Sequence, residues 1–421
     1  MSVPGSAEWR NTEASRLIAF GRAAALPGGG FGWLDGHGQV DQAQPRPLYL
    51  SARMIHVFAL AYLAGDASAR PLADSGLVSL VSGYADEANG GWYASEDFAG
   101  RVTDTTKDNY AHAHTLLAAS TAIAAGLTGA EAVFAATAAA INRHFWSDAE
   151  GRARESWDAG FTETEPYRGA NSNMHSVEAY LAAGDATGDR VWRDRALSIA
   201  THLIDDHARQ NAWRVPEHYD EHWRPRPDYN DDRRADQFRP YGTTPGHSFE
   251  WARLLLDLEA ALSAPPPPVA PQGPATPRTP AASQAPAWLL EAATGLFDAA
   301  VADAENRDGH PGLLYTVDQA QQPVITARLH WVACEAVLAA DALHRRTGED
   351  RFATAATRWW ADIDTYFIDR HDGGWRHELT PEMTPAAGTW SGKPDLYHAY
   401  QALLFPSLPL TPAAAVALAK P

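Results

Sequence analysis

Six times along the chain an Ala/Leu-rich helical stretch opens with polar or aromatic residues, and no equally regular strand pattern lies between them. The openings are Arg53-Met54-Ile55-His56, Tyr110-Ala111-His112-Ala113-His114, Asn173-Met174-His175, His247-Ser248-Phe249-Glu250, His330-Trp331 and Tyr397-His398. Their starts recur about every 57 to 83 residues, as in a repeat architecture whose unit is one supersecondary element. Six equivalent helices lying parallel would bring their first turns to one face, where these polar residues would meet.

Between the openings run six further periodic stretches, roughly 14–26, 71–83, 130–145, 191–207, 287–304 and 350–367. Apolar residues recur in them at amphipathic spacing, as in Leu289, Leu290, Ala293, Leu296, Phe297 and Ala300, so each has one face to bury. The stretches with polar openings are apolar all round instead, as a helix enclosed on every side should be. Short turns holding Gly and Asp follow the enclosed helices at Ala64-Gly65-Asp66, 183–189 and 346–350, and these are stop and start signals. Longer loops precede them and carry β-prone pieces such as Gly374-Trp375-Arg376-His377-Glu378. The expected fold is all-α: an (α/α)6 barrel of twelve helices in six hairpins, with short β-hairpins in the loops at one mouth. Residues 1–421 are read as a single catalytic domain. The Pro-rich stretch 264–286 is read as a flexible insert within it, because hairpins resume afterwards.

The formal charge of −18 excludes the nucleic-acid binders, which need a basic surface against phosphates. No apolar run reaches the ~18 residues of a membrane span. Met1 to Arg10 lacks the basic and apolar regions of a signal peptide, and the sole cysteine, Cys334, permits no intramolecular disulfide. A cytoplasmic protein without membrane or nucleic-acid partners is expected, and monomer and homo-oligomer are equally compatible with the sequence. Several tryptophans fall in loops (Trp33, Trp92, Trp213, Trp375, Trp390), where flat apolar faces suit the stacking of sugar rings.

His247 and Glu250 lie three residues apart and share a helical face, which offers a proton-transferring imidazole supported by a carboxylate. The same spacing recurs at His175 and Glu178. Two such pairs raise the question of a dimetal centre, but that pattern runs Glu-x-x-His with further glutamates, so no metal is expected. Arg53 interrupts an apolar stretch and needs a carboxylate or a substrate oxygen if buried. His398 falls in the first turn of the last helix, which Pro394 and Asp395 initiate, level with His247. Tyr110 and Asn171 precede inner helices and offer hydrogen bonds to hydroxyls. The loop 217–239, dense in Asp, Arg and Trp, reads equally as a lid or as a solvated surface loop.

Five segments together resemble the N-acylglucosamine 2-epimerase superfamily, and within it the mannose isomerase and sulfoquinovose isomerase branch. They are Ser51-Ala52-Arg53-Met54, Lys107-Asp108-Asn109-Tyr110-Ala111-His112, Asn171-Ser172-Asn173-Met174-His175-Ser176-Val177-Glu178, Pro245-Gly246-His247-Ser248-Phe249-Glu250-Trp251-Ala252-Arg253 and Trp390-Ser391-Gly392-Lys393-Pro394-Asp395-Leu396-Tyr397-His398. The resemblance implies an (α/α)6 barrel enzyme that isomerises or epimerises a small sugar without metal or redox cofactor. It implies His247 and His398 as the acid/base pair and Arg53 as the residue beside the reacting oxygens. Tyr110, Asn171, His175, Glu250, Trp331 and Trp390 would line the substrate pocket. His330 is a departure, since several relatives carry an aromatic residue there.

The chemistry agrees with these residue types. Moving a carbonyl between C1 and C2 of an open-chain sugar requires a base that titrates near neutrality and a cation beside the enediolate oxygen. The expected activity is a metal-independent aldose–ketose isomerase interconverting D-mannose and D-fructose, with D-lyxose and D-xylulose as related substrates. The alternative is a 2-epimerase acting on cellobiose or N-acylglucosamine, which needs bases on both faces of C2. A glycosidase would rely on two carboxylates across the scissile bond, whereas the mouth offers histidines. A non-catalytic sugar-binding barrel would not require both His247 and His398. Either histidine is compatible with the C1/C2 proton shuttle.

Overall fold

The computed structural model describes residues 2–264 and 285–419, so the insert expected at 264–286 lies almost wholly outside the described residues. Thirteen α-helices are present among the described residues. They are α1 (Ala7–Gly21), α2 (Leu48–Leu63), α3 (Arg70–Tyr84), α4 (Asn109–Ala124), α5 (Ala130–Ala140), α6 (Ala170–Thr187), α7 (Arg190–Ala200), α8 (Pro245–Ser263), α9 (Trp288–Ala304), α10 (His330–Thr347), α11 (Asp350–Asp362), α12 (Tyr397–Leu404) and α13 (Ala414–Leu418). The even-numbered helices form an inner ring in the order α2, α4, α6, α8, α10, α12, and α12 closes onto α2. Each inner helix has an outer partner: α3, α5, α7, α9 and α11 follow theirs in sequence, and α1 covers α12. This is an (α/α)6 barrel.

Burial explains the two kinds of helix. In α2 every residue from Leu48 to Ala61 is buried, and in α10 every residue from His330 to Ala340. The outer α11 buries only Phe352, Ala355, Trp359 and Trp360, one face at helical spacing. α6 runs through Gly184 and Asp185 to Thr187 before Gly188 stops it with φ 72°, a left-handed C-cap that α10 repeats at Gly348 with φ 74°. Three outer helices widen into a π-helical last turn, at Ile141–Phe145, Thr201–Ala208 and Ile363–Phe367.

Short antiparallel ladders fix where the inner helices begin. Arg46–Pro47 pairs with Ser95–Glu96 ahead of α2, and Lys107–Asp108 pairs with Ser156–Trp157 ahead of α4. Tyr167–Gly169 pairs with His218–Asp220 ahead of α6, and Arg328–Leu329 pairs with Glu378–Leu379 ahead of α10. The opposite end of the barrel is closed by Phe405–Ser407 and α13, the latter packed on α2, α4 and α6. A second pocket lies under this floor, between the C-terminal segment and the inner helices. Among the described residues no helix is long and apolar enough to cross a membrane.

Candidate active site

All nine residues singled out in the sequence border one cavity at the ladder end of the barrel. Arg53, Tyr110, Asn171, His175, His247, Glu250, Trp331, Trp390 and His398 line it together with Gln237, Phe238, Tyr315, His330, His377 and Asp395. It is a concave site with a few convergent polar groups among apolar and aromatic walls, as small-molecule sites are. The residues do not share one level. Tyr110, Asn171, His247, Trp331 and His398 occupy first turns, whereas Arg53, His175 and Glu250 are each the sixth residue of their helix. The second group therefore lies about one turn, roughly 5.4 Å, deeper. Arg53 is deeper than its place in the sequence pattern suggests, because α2 begins at Leu48.

Each of the two candidate catalytic imidazoles is held at Nδ1 by a carboxylate. His247 Nδ1 lies 3.0 Å from Glu217 Oε2, and His398 Nδ1 lies 2.8 Å from Glu335 Oε1. A carboxylate only accepts hydrogen bonds, so Nδ1 carries the proton and Nε2 keeps the lone pair. This corrects the pairing of His247 with Glu250: the partner is Glu217, delivered by the ladder in which His218 faces Gly169. Glu217 also accepts a hydrogen bond from the Thr244 backbone N–H at 3.2 Å, so it satisfies the open N-terminus of α8 as well. Trp331 stands between the two imidazoles, its ring centroid 5.2 Å from His247 and 5.6 Å from His398.

Arg53 is 5% exposed, and three of its five N–H donors are engaged. It donates to Tyr110 Oη at 2.7 Å, to Asp395 Oδ2 at 3.2 Å and to His114 Nε2 at 3.3 Å, and it stacks on the Tyr397 ring at 4.6 Å. Asp395 in turn accepts from the Tyr397 N–H, the first of α12. Burial, with the Arg53 charge nearby, pushes the His398 imidazole well below its ordinary pKa and keeps it neutral. Burial lowers His175 to about 4.

Below the histidines lies a cluster of buried charges. Glu178, Glu250 and Glu335 surround Arg253, whose Nε donates to Glu335 Oε2 at 3.4 Å, with Glu178 at 3.6 Å and Glu250 at 4.0 Å. Glu178 also accepts from Tyr397 Oη and, at 3.0 Å, from Gln401 Nε2. Neither oxygen of Glu250 has a hydrogen-bond partner, and burial beside Glu335 raises its pKa well above the carboxylate range. Glu335 has donors on both oxygens, which favours its ionised form over that of Glu250.

The loop 217–239 reaches the mouth. Phe238 packs edge-on against Trp390 at 5.6 Å, Tyr110 at 5.8 Å and Tyr49 at 5.5 Å, and with Gln237 it forms part of the cavity wall. Trp390 is positioned by Glu378, whose carboxylate accepts from the N–H groups of Gly388, Thr389 and Trp390 at 2.7 to 3.0 Å. Sequence reasoning missed Glu217, Glu335, Tyr315 and His377. Glu335 left a signal, since a carboxylate inside the apolar run Trp331–Ala340 must be paired.

A model of the N-acylglucosamine 2-epimerase (GlcNAc 2-epimerase) family matches residues 29–402. A D-mannose isomerase from Thermobifida fusca is 47% identical over 412 residues, covering 98% of this chain and 96% of the relative. A D-mannose isomerase from Pseudomonas cannabina pv. alisalensis is 44% identical over 418 residues, covering 99% of this chain and 96% of the relative. The fold superposes on a crystal structure of D-mannose isomerase with a TM-score of 0.85 at 28% identity, covering 96% of this chain and 98% of that one. With the family match spanning the barrel and the pocket that its inner helices enclose, the chain belongs to the N-acylglucosamine 2-epimerase family.

Proposed function

We propose that this protein is an aldose–ketose isomerase that interconverts D-mannose and D-fructose by proton transfer through a cis-enediol. The observation that carries the reading is the pair of buried imidazoles, each pinned at Nδ1 by its own carboxylate, beside an arginine in one cavity. The extent and level of identity to two D-mannose isomerases support the same substrate.

In this reading His247 assists opening of the pyranose ring, and His398, neutral and next to Arg53, is the base. His398 Nε2 takes the proton from C2 of the open-chain aldose. The C–H electrons form the C1–C2 double bond, and the C1 carbonyl becomes an enediolate oxygen that Arg53 stabilises. The imidazolium returns the proton to C1, while O1 gains a proton and O2 loses one to become the ketone. Glu335 stabilises the transient imidazolium without itself taking the proton. Trp331 and Trp390 supply flat apolar faces for the sugar, and Asn171 and Tyr110 supply polar contacts.

The test is incubation of EDTA-treated protein with D-mannose in D2O, followed by NMR. Fructose with partial deuterium at C1 supports the reading. A C2-inverted aldose without ketose moves the assignment to 2-epimerisation, and loss of turnover with EDTA overturns the metal-independent step.

A further inference from the structure

His330 takes no part in the proton transfer just described, yet it lines the same cavity and is 4% exposed. Its backbone N–H donates to the His377 carbonyl at 3.1 Å, continuing the ladder between Arg328–Leu329 and Glu378–Leu379. Its ring lies flat on the His377 ring, with centroids 4.0 Å apart and planes 25° apart. In that orientation His330 Nδ1 also points at the His377 carbonyl, at 3.4 Å. A carbonyl oxygen only accepts, so Nδ1 bears the proton and Nε2 presents a lone pair. Nε2 is buried and has no partner.

An unpartnered buried acceptor is costly, and an aromatic hydrocarbon would stack on His377 without that cost. The arrangement becomes favourable once a ligand hydroxyl supplies the missing donor. We propose that His330 is a specificity-determining residue whose Nε2 accepts a hydrogen bond from a sugar hydroxyl beyond C2. The substrate class is that of the proposed isomerase reaction, and the inference rests on that reading for the choice of sugar. It predicts that a pocket with His330 discriminates for one hydroxyl that a pocket with an aromatic residue at 330 ignores.

The experiment is a cycle of enzyme and substrate changes. Wild type, His330→Phe and His330→Gln are assayed with D-mannose, its 3-, 4- and 6-deoxy analogues, and D-lyxose, which lacks the C6 hydroxymethyl group. Folding of each variant is checked by circular dichroism and thermal melting. The expected result is a rise of about tenfold in KM for D-mannose in His330→Phe, with kcat within a few-fold of wild type. One deoxy position should cost the wild type about tenfold in kcat/KM and cost His330→Phe nothing further. His330→Gln, which keeps an acceptor near the place of Nε2, should recover most of the discrimination. The inference is overturned if every analogue costs the variants what it costs the wild type. Turnover of D-mannose by the wild type decides the proposed function separately. Should another sugar be turned over instead, the same cycle run on its deoxy analogues decides the role of His330.

Discussion

Replacing Glu335 by glutamine changes one atom type and should nearly abolish turnover. Glu335 is fully buried, with Oε1 on His398 Nδ1 at 2.8 Å and Oε2 on Arg253 Nε at 3.4 Å. A glutamine has one oxygen and one NH2 to divide between those partners. Turning the NH2 toward the guanidinium would set donor against donor beside a fixed positive charge, so the oxygen must face Arg253. The NH2 then faces His398 and can bond only to a lone pair on Nδ1. The imidazole proton is forced onto Nε2, and the ring nitrogen nearest the sugar ceases to be a base. The same carboxylate-to-amide change behind a catalytic histidine lowers kcat by about 10⁴ in the serine-protease triad. At ~1.4 kcal/mol per tenfold this corresponds to roughly 5 kcal/mol of barrier. The expected outcome for Glu335→Gln is therefore a kcat lower by about 10³ to 10⁴. KM for D-mannose should stay within about threefold, because none of the sugar-facing donors is removed. Thermal stability should be retained, since burial already raises the Glu335 pKa and the neutral amide relieves that strain. Steady-state kinetics with a coupled ketose assay and a melting curve check both. A variant that keeps kcat within tenfold of wild type would refute the argument that Glu335 sets the tautomer of His398.

Arg53→Lys should lower kcat by about a hundredfold or more, because one ammonium cannot replace a planar fork that contacts Tyr110, Asp395 and His114 together. Unchanged kcat in that variant would remove Arg53 from the enediolate step. Acid should unfold the protein early. Burial holds His56 and His175 near 4 and His112 and His377 near 3, so the folded state binds fewer protons than the unfolded one below the ordinary histidine pKa. Stability is then present above about 6.5 and is lost as pH falls toward those folded values, by about 1.4 kcal/mol per histidine at pH 5.5. Asp108 and Asp257, both raised to about 6 by burial, act in the opposite sense and return part of that loss. Denaturant melts at pH 7.5 and 5.5 measure it, and equal midpoints would show that these imidazoles are not buried neutral.

The repeat, the helix types and the end at which the site lies were all legible, because helical periodicity and capping are properties of neighbouring residues. Gly188 and Gly348 stop α6 and α10 for reasons visible in the sequence alone. The partners of the histidines were not legible. Spacing proposed Glu250 for His247 because both share a face of α8, yet Glu250 lies one turn deeper and turns toward His175 and Arg253. The true partner arrives from a strand whose register is set by pairing with Tyr167–Gly169, a contact that no local pattern encodes. Glu178, Arg253 and Glu335 share a clue that was open to reading: each is a charge within the buried, mostly apolar length of an inner helix. Such charges are tolerated only where they meet one another.

The carboxylates at the mouth serve two ends at once. Six helix N-termini converge on the cavity, and their unpaired N–H groups favour negative charge there. Asp395 accepts from the first N–H of α12 and holds Arg53, and Glu217 accepts from the Thr244 N–H ahead of α8 while holding His247. This double use separates the two histidine–carboxylate pairs. Glu217→Gln also divides one oxygen and one NH2 between two partners, but the competitor is the Thr244 N–H, a neutral donor, instead of a guanidinium. The oxygen can stay on His247 at the expense of one uncharged backbone bond, worth about 1 kcal/mol. The tautomer of His247 then survives in part of the population, and kcat should fall by about ten- to a hundredfold, well short of the loss at Glu335→Gln. Equal losses in the two variants would mean that the charge of Arg253 does not decide the orientation of the amide, and with it the account of how His398 is kept a base would fail.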